Sequence, residues 1–368
     1  MKIALTYNVK PDFVLSPPPS SPFPSLLSTS ISGQIAEQLA PSLDSSEIYA
    51  EWDAPETIDA IASALQERGD VVMIEANEEA PEALRDEAPE IVYNVAEGLF
   101  GVSRESYIPA ICEFLQLPFT GSDALTLAMC LEKSRAKEIL SYYNIPTARF
   151  HVIPSLDAFE KTQIDFFLSR KFVKPVREGS GKGVFNSSIV ATRDECEREV
   201  RRVLGDYDQP ALIEDYLEGK EFTVALLGNG KSLRCLPIIE MTFDGLPEEA
   251  MPIYGYESKW IYDLPDKPVE ECYRCPAPIS NALQTRIEKI CTDAFTTLNC
   301  RDWCRIDVRC DREGNPHIIE LNPLPGVIPD PNAHSSFPMA ARAAGMSFNA
   351  IIHSVLDAAI DRYNLARE

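Results

Sequence analysis

Residues 305–307 read Arg305-Ile306-Asp307, and thirteen residues beyond Asp307 stands Glu320-Leu321-Asn322-Pro323. Both pieces lie in apolar, β-branched surroundings, Cys304 to Cys310 and His317 to Leu321, which read as strands. Between them Asp311-Arg312-Glu313-Gly314-Asn315 reads as a turn, so the strands form a hairpin. A hairpin brings Asp307, Glu320 and Asn322 together, and Glu320 and Asn322, two apart, share one strand face. Carboxylate and amide oxygens at that density suit Mg²⁺, a hard cation that keeps waters and shares ligands with nucleotide phosphates. An ordinary charged surface hairpin is the alternative on spacing alone, and the rest of the chain decides between them.

Upstream, Phe172-Val173-Lys174 ends a strand and is followed by Arg177-Glu178-Gly179-Ser180-Gly181-Lys182-Gly183. Glycines at alternate positions let backbone N–H groups close on phosphate oxygens. No helix follows directly, so this is neither a Walker loop nor a dinucleotide fingerprint. It reads as a glycine-rich flap between strands over a triphosphate, with the Lys174 ammonium placed on phosphate. Next, Ile213-Glu214-Asp215-Tyr216-Leu217 ends a strand that can read adenine through backbone groups plus Glu214. Glu221, opening the following strand, can hold ribose hydroxyls. Each acidic position taken singly also fits a solvated turn.

The remaining pattern predicts a parallel α/β unit over residues 1–123. Its strands are 2–7, 71–74, 91–95 and around 117–119, and its helices run from a capping box at Asp53-Ala54-Pro55-Glu56 to Gly69 and over 105–115. A helix over 126–142 follows. An α+β stretch then has strands near 149–153, 172–174, 188–190 and 211–214, and the last third holds helices over 280–297 and 348–364. The domain reading is 1–123, then 124–220 carrying the flap, then 221–368 carrying the metal hairpin and a loop over 243–276. Residues 10–46 break this pattern: Pro11, Pro17, Pro18, Pro19, Pro22 and Pro24 alternate with serines, as in a lid or a tether.

Composition bounds the partners. The 368 residues carry a formal charge of −23, from 34 basic and 57 acidic side chains, with 45% hydrophobic content. That acidity argues against nucleic acid or an anionic membrane surface. The start, Met1-Lys2-Ile3-Ala4-Leu5, reads as a strand rather than a signal peptide, and ten scattered cysteines suit a reducing compartment, so the cytoplasm is expected. Cys272-Tyr273-Arg274-Cys275 with Cys300 and Cys304 leaves a zinc site open, against burial of the thiols in the core.

These pieces together resemble the ATP-grasp superfamily, and within it the D-alanine–D-alanine ligase family. The resemblance runs from about residue 51 onward. It rests on Leu117 to Ser122, Glu132-Lys133-Ser134-Arg135-Ala136-Lys137, the flap, Glu221-Phe222-Thr223-Val224, Tyr254 to Lys259, the metal hairpin, and Pro338 to Arg342 with Ala344 to Phe348. It implies an ATP-dependent carboxylate–amine ligase working through an acyl phosphate. It also implies Lys133 and Lys174 on the nucleotide phosphates, and Lys259 reaching the γ-phosphate from a mobile loop. Glu214 and Leu217 would hold adenine and Glu221 the ribose, with Glu178, Gly179, Gly181, Gly183 and Ile319 completing the nucleotide site. Asp307, Glu320 and Asn322 would bind two Mg²⁺, which Mn²⁺ could replace. Arg305, helped by the Gly326 N–H, would stabilise charge on the acyl phosphate and tetrahedral intermediate. Ser180, Ser335 and Ser336 would sit near the substrates, which are small amino acids or amines, and a homodimer is open.

The departures concern amino-acid recognition. The family's N-terminal loop, whose glutamate holds the first substrate's amino group, is replaced by the proline-rich insertion, and Glu51 stands about where a substitute is needed. The family's histidine after the third strand is Glu97, its mobile-loop tyrosine after Lys259 is Trp260, and Val327 to Asn332 is longer. Glu97 either faces the first-substrate pocket, attracting an amino or guanidino group, or points to solvent. The expectation is therefore a ligase for an amino acid other than the D-alanine pair. D-Alanyl-D-alanine synthesis, an inactive nucleotide-binding regulator and a scaffold are the rival readings.

Overall fold

The computed structural model describes residues 1–11, 48–167, 169–243, 253 and 272–366. The proline-rich stretch beyond residue 11, most of the 243–276 loop, Tyr254, Lys259 and Trp260 lie outside the described residues.

Strand β1 (Lys2–Tyr7) lies between β2 (Asp70–Glu75) and β3 (Ile91–Asn94), parallel to both. Its run Ile3-Ala4-Leu5 is buried throughout because both faces are covered, as in parallel sheets generally. Ile3 and Leu5 pack with Ile58, Ile61 and Leu65 of α1 (Pro55–Gln66), whereas Ala4 packs with Leu84 of α2 (Ala80–Glu87) and Cys112 of α3 (Tyr107–Leu115). A 3₁₀ turn, Arg104–Ser106, precedes α3 and carries two charged side chains inward. The sequence reading is corrected at two places here. Asp53 does not cap α1: the N-cap is Ala54 with no side-chain bond, because Asp53 is taken up in a parallel bridge to Val9. The strand around 117–119 is only a bridge of Phe119 to Val92, since Pro118 has no N–H to extend the ladder.

The expected single helix over 126–142 is also corrected. It is α4 (Ala124–Leu131), capped by the Asp123 side chain, followed by α5 (Lys133–Tyr142), with Glu132 at ψ 86° between them. The break is tertiary in origin: the Lys133 N–H donates to the Val176 carbonyl at 3.0 Å, and Glu132 pairs with Arg177. It places Lys133 at the start of α5, beside the flap.

Strand β4 (Phe150–Ile153), helix α6 (Leu156–Lys161), strands β5 (Lys171–Pro175) and β6 (Ile189–Val190), helix α7 (Arg193–Asp206) and strand β7 (Ala211–Asp215) form a second unit. Its sheet is antiparallel in the order β4-β7-β5-β6, over a core of Val173, Cys196, Val200 and Ile213.

The largest sheet runs β11-β10-β8-β12-β13, with β9 beside β8. Its strands are β8 (Glu221–Leu227), β9 (Arg234–Cys235), β10 (Ile239–Met241), β11 (Tyr273–Arg274), β12 (Trp303–Cys310) and β13 (Pro316–Asn322). Alternation along β12 sends Cys304, Ile306 and Val308 into a core shared with Ile287, Cys291 and Phe295 of α8 (Asn281–Thr297). Cys300, Cys304 and Cys130 lie in that core, while Cys275 packs against a different cluster, so the cysteine pairs considered for zinc do not converge. Helices α9 (Ser336–Ala343) and α10 (Phe348–Tyr363) close the fold, and α10 packs on α1 of the first sheet. No single helix among the described residues is long and apolar enough to cross a membrane.

Asp302, fully buried, joins these parts. It accepts from Gly121 N at 2.8 Å and from Asn229 Nδ2 at 2.6 Å, and it pairs with Arg362 at 2.7 Å. Asp302→Ala removes the carboxylate partner of the part-buried Arg362 guanidinium and leaves the Gly121 and Asn229 donors unmet, and is expected to cost about 3–5 kcal/mol of stability. Urea unfolding would show it, and a loss under about 1 kcal/mol would contradict the assignment.

Candidate active site

The other face of β12 points Arg305, Asp307 and Arg309 into a cavity of about 430 Å³ that is bounded by the two antiparallel sheets and by loop, turn and helix residues of the first unit such as Lys10, Glu51, Thr57, Glu97 and Glu105. Asp307 stands directly opposite Glu320, and Arg305 opposite Asn322, with a register shift just after Asp307. Arg305 reaches Asp307 at 3.1 Å and Glu320 at 3.5 Å, Lys133 reaches Glu320 at 3.3 Å, and the Thr223 hydroxyl donates to Asp307 at 2.5 Å. Burial raises the Asp307 pKa, Arg305 works against that, and the Glu320 charge adds to it. Burial also opposes the Glu320 charge, yet Lys133, Lys174 and Arg305 outweigh it and hold that carboxyl at about 2. Two facing carboxylates and an amide, with the pKa of one carboxylate raised by burial and by its neighbour's charge, form an oxygen donor set that fits a divalent cation. The Asn322 Oδ1 accepts from Leu324 N at 2.9 Å, which fixes the amide.

Beside this hairpin, Glu214 is flanked by Lys174 at 2.6 Å and Lys137 at 2.7 Å, all three buried. The paired lysines lower the Glu214 pKa against the burial that raises it. Lys137 was missed in the sequence, although it stands four residues after Lys133 and so on the same helix face. Glu221 pairs with Arg309 at 2.7 Å, and Arg309 also bonds the Tyr216 hydroxyl at 2.8 Å. Leu217 and Ile319 line the same part of the cavity.

The flap closes over these groups. Ser180 and Gly181 take positive φ, 52° and 77°, and line the cavity together with Glu178 and Gly179. Gly183 does not line it: its φ is 72°, and a Cβ there would meet Pro175 at 2.4 Å, so it serves the turn. The flap is tied down by Glu51. Both of its carboxylate oxygens accept from Arg104 Nη2 at 3.0 Å, Oε2 also from Lys182 Nζ at 2.8 Å, and Oε1 from Gly179 N at 3.0 Å. Lys182 also pairs with Glu178 at 2.6 Å, and Arg104 donates to the Arg177 carbonyl at 2.9 Å. A Cβ on Gly179 would lie 2.4 Å from Glu51 Oε1, so a larger residue there would have to displace the Glu51 carboxylate from its cations. Glu51, placed in the sequence as a holder of an amino group, is thus already committed to protein cations.

Burial opposes the Glu51 charge, but Lys182 and Arg104 hold its pKa near 2, below the ordinary 4.5. A depressed carboxyl contributes stability above its unfolded pKa and loses it as pH falls through the folded one. Glu51→Gln is therefore expected to lose about 3 kcal/mol or more at pH 7, with the gap to wild type closing between pH 4.5 and 2. Denaturant unfolding at several pH values checks this, and a pH-independent gap would contradict it.

Glu97, Trp52, Asp53, Glu105, Ser335 and Ser336 also line the cavity. Ser335 Oγ accepts from Ile328 N at 3.2 Å. Gly326 lines the cavity too, and no atom lies within 4 Å of where its Cβ would be. Arg104, Lys182 and Glu105 were not singled out in the sequence, since nothing local marks which surface charge will be buried.

The family model described as "D-ala D-ala ligase C-terminus" matches residues 139–357. The chain is 30% identical over 321 residues to the uncharacterized protein y4sG of Sinorhizobium fredii, covering 85% of this chain and 90% of that one. It is 30% identical over 268 residues to a D-alanine–D-alanine ligase of Cupriavidus metallidurans, covering 73% and 75%. The solved D-alanine–D-alanine ligase of Bacillus anthracis complexed with ATP superposes with a TM-score of 0.63 at 18% identity, over 99% of both chains. Fold and relatives define an ATP-dependent carbon–nitrogen ligase with the ATP-grasp fold. The chain belongs to the D-alanine–D-alanine ligase family.

Proposed function

We propose that this ligase activates an amino acid other than D-alanine and joins it to an amine through an acyl phosphate. A carboxylate oxygen of the first substrate attacks the γ-phosphorus of ATP, and ADP leaves. The second substrate's free amine then attacks the carbonyl carbon, loses a proton, and expels inorganic phosphate. Lys133 and Lys174 hold the phosphates, joined by Lys259, Glu178, Gly179 and Gly181. Glu214, Leu217 and Ile319 hold adenine, and Glu221 the ribose. Asp307, Glu320 and Asn322 would hold Mg²⁺, which supplies neutralisation of the triphosphate when bound. Arg305 faces the charge that develops at the transferred group, with the Gly326 N–H beside it, and Ser180, Ser335 and Ser336 border the substrates.

The observation that carries this reading is Arg305. Its Nε is buried and has no hydrogen-bond partner among the described residues, beside two carboxylates in the cavity. Such a donor is costly unless a bound group meets it. D-Alanyl-D-alanine synthesis is the second reading, favoured by the names of the relatives. Against it stands Glu97, which brings a carboxyl group without an ion-pair partner among the described residues to the cavity wall. Phosphate release from ATP, screened over D- and L-amino acids singly and in pairs, separates the two. Release highest with the D-alanine pair would overturn the first reading.

A further inference from the structure

Resting on the ligase reading, we infer that Glu97 and Glu105 together form a cation subsite, which selects a carboxylate substrate bearing a basic side chain. The other carboxylates lining the cavity from the hairpin, the nucleotide end and the flap are already met by protein cations. Glu51 and Glu178 share Arg104 and Lys182, Glu214 has Lys137 and Lys174, Glu221 has Arg309, and Asp307 and Glu320 have Arg305. Glu97 and Glu105 line the same cavity and make no hydrogen bond or ion pair among the described residues. Glu105 is nonetheless only 8% exposed.

The backbone brings the two together. Gly98, directly after Glu97, packs so closely on the Arg104 carbonyl that a Cβ there would lie 2.7 Å from it, which sets Glu97 against the turn that carries Glu105. Burial pushes both pKa values upward, Glu105 to about 7, and at Glu97 the charge of Glu105 adds to the rise. Arg104 lowers both, and Lys133 and Lys182 lower Glu105, yet burial, with the Glu51 charge and at Glu97 that of Asp53, keeps the shifts upward. Asp53, itself raised to about 7 by burial, is faced by Lys10. The pair is thus a carboxyl wall with no ion-pair partner among the described residues, and a bound cation would favour its ionised form. One ammonium leaves part of that charge unmet, whereas an amino acid with a second amino or guanidino group meets it. Trp52 lines the cavity here, its Nε1 donating to Gly98 O at 3.0 Å, and offers a ring to such a cation.

The test is calorimetric binding to the full chain loaded with a non-hydrolysable ATP analogue. Ornithine, arginine and alanine, each in both hands, are the probes. Ornithine or arginine is expected to bind about ten-fold or more tightly than alanine of the same hand. Glu97→Gln and Glu105→Gln should each shrink that preference to within about three-fold. Both variants should also unfold at higher temperature at pH 8, where removal of a like charge helps the empty protein, which shows that they fold. Alanine binding as tightly as both basic amino acids, or a preference retained in both variants, would overturn the subsite. Phosphate release with the same amino acids separates the two levels: tight ornithine or arginine binding with no release from any pair defeats ligation but not the subsite, and release confined to alanine defeats the subsite but not ligation.

Discussion

Asp307→Asn and Glu320→Gln are each expected to lower ATP turnover by about 10³-fold or more while leaving the protein folded. Each keeps side-chain volume and removes one negative oxygen donor from the facing pair on β12 and β13. The two should differ in detail. Glu320 also anchors Lys133 at 3.3 Å, so its loss should weaken ATP binding as well as turnover. Asp307 bonds Thr223 and Arg305, so its loss should act chiefly on cation dependence. Steady-state phosphate release against Mg²⁺ concentration measures both. A variant with near-normal release at saturating Mg²⁺ would remove that residue from the cation site.

Arg305→Ala is expected to reduce kcat by about 10²–10³-fold and to leave ATP affinity within a few-fold. Its guanidinium lies between Asp307 and Glu320, and its Nε has no partner among the described residues. A donor arranged this way does most when charge develops on the group being transferred, and little in the ground state. Arg305→Lys should recover only part of the loss, because an ammonium cannot present the planar fork. The measurement is kcat against ATP affinity, the latter from binding of a non-hydrolysable analogue. An equal collapse of affinity and kcat would make Arg305 a nucleotide clamp.

The hairpin was legible because its signal is local. Strand alternation and a five-residue turn bring the two strands together, but the pairing of Asp307 with Glu320 needs the register shift just after Asp307, since an unbroken ladder from Cys310 and Pro316 would set Asp307 against Ile319; no local signal marks that shift. The parallel unit was legible for the same reason, through Ile3-Ala4-Leu5 and its counterparts at Val71 to Ile74 and Ile91 to Asn94. What stayed hidden depends on distant partners. The helix break at Glu132 is set by a carbonyl at Val176, and Asp53 left its capping position for a bridge to Val9. Glu51 was identified as a site residue, but its partners Arg104, Gly179 and Lys182 lie 53 to 131 residues along the chain. No periodicity announces such a clasp. Glu105 was invisible for a related reason: a carboxylate that opens a helix reads as solvated until the loop at Gly98 is seen to bury it.

The proposed ligation depends on phosphorylation of a substrate carboxylate by ATP before an amine displaces the phosphate. Transfer of isotope tests it most directly. An amino acid that supports turnover is labelled with ¹⁸O in its carboxylate and incubated with ATP, Mg²⁺ and the amine partner, and the released phosphate is analysed by mass spectrometry. Attack of a carboxylate oxygen on the γ-phosphorus places one labelled oxygen in each phosphate formed with the peptide bond. Product formed with unlabelled phosphate would contradict the account.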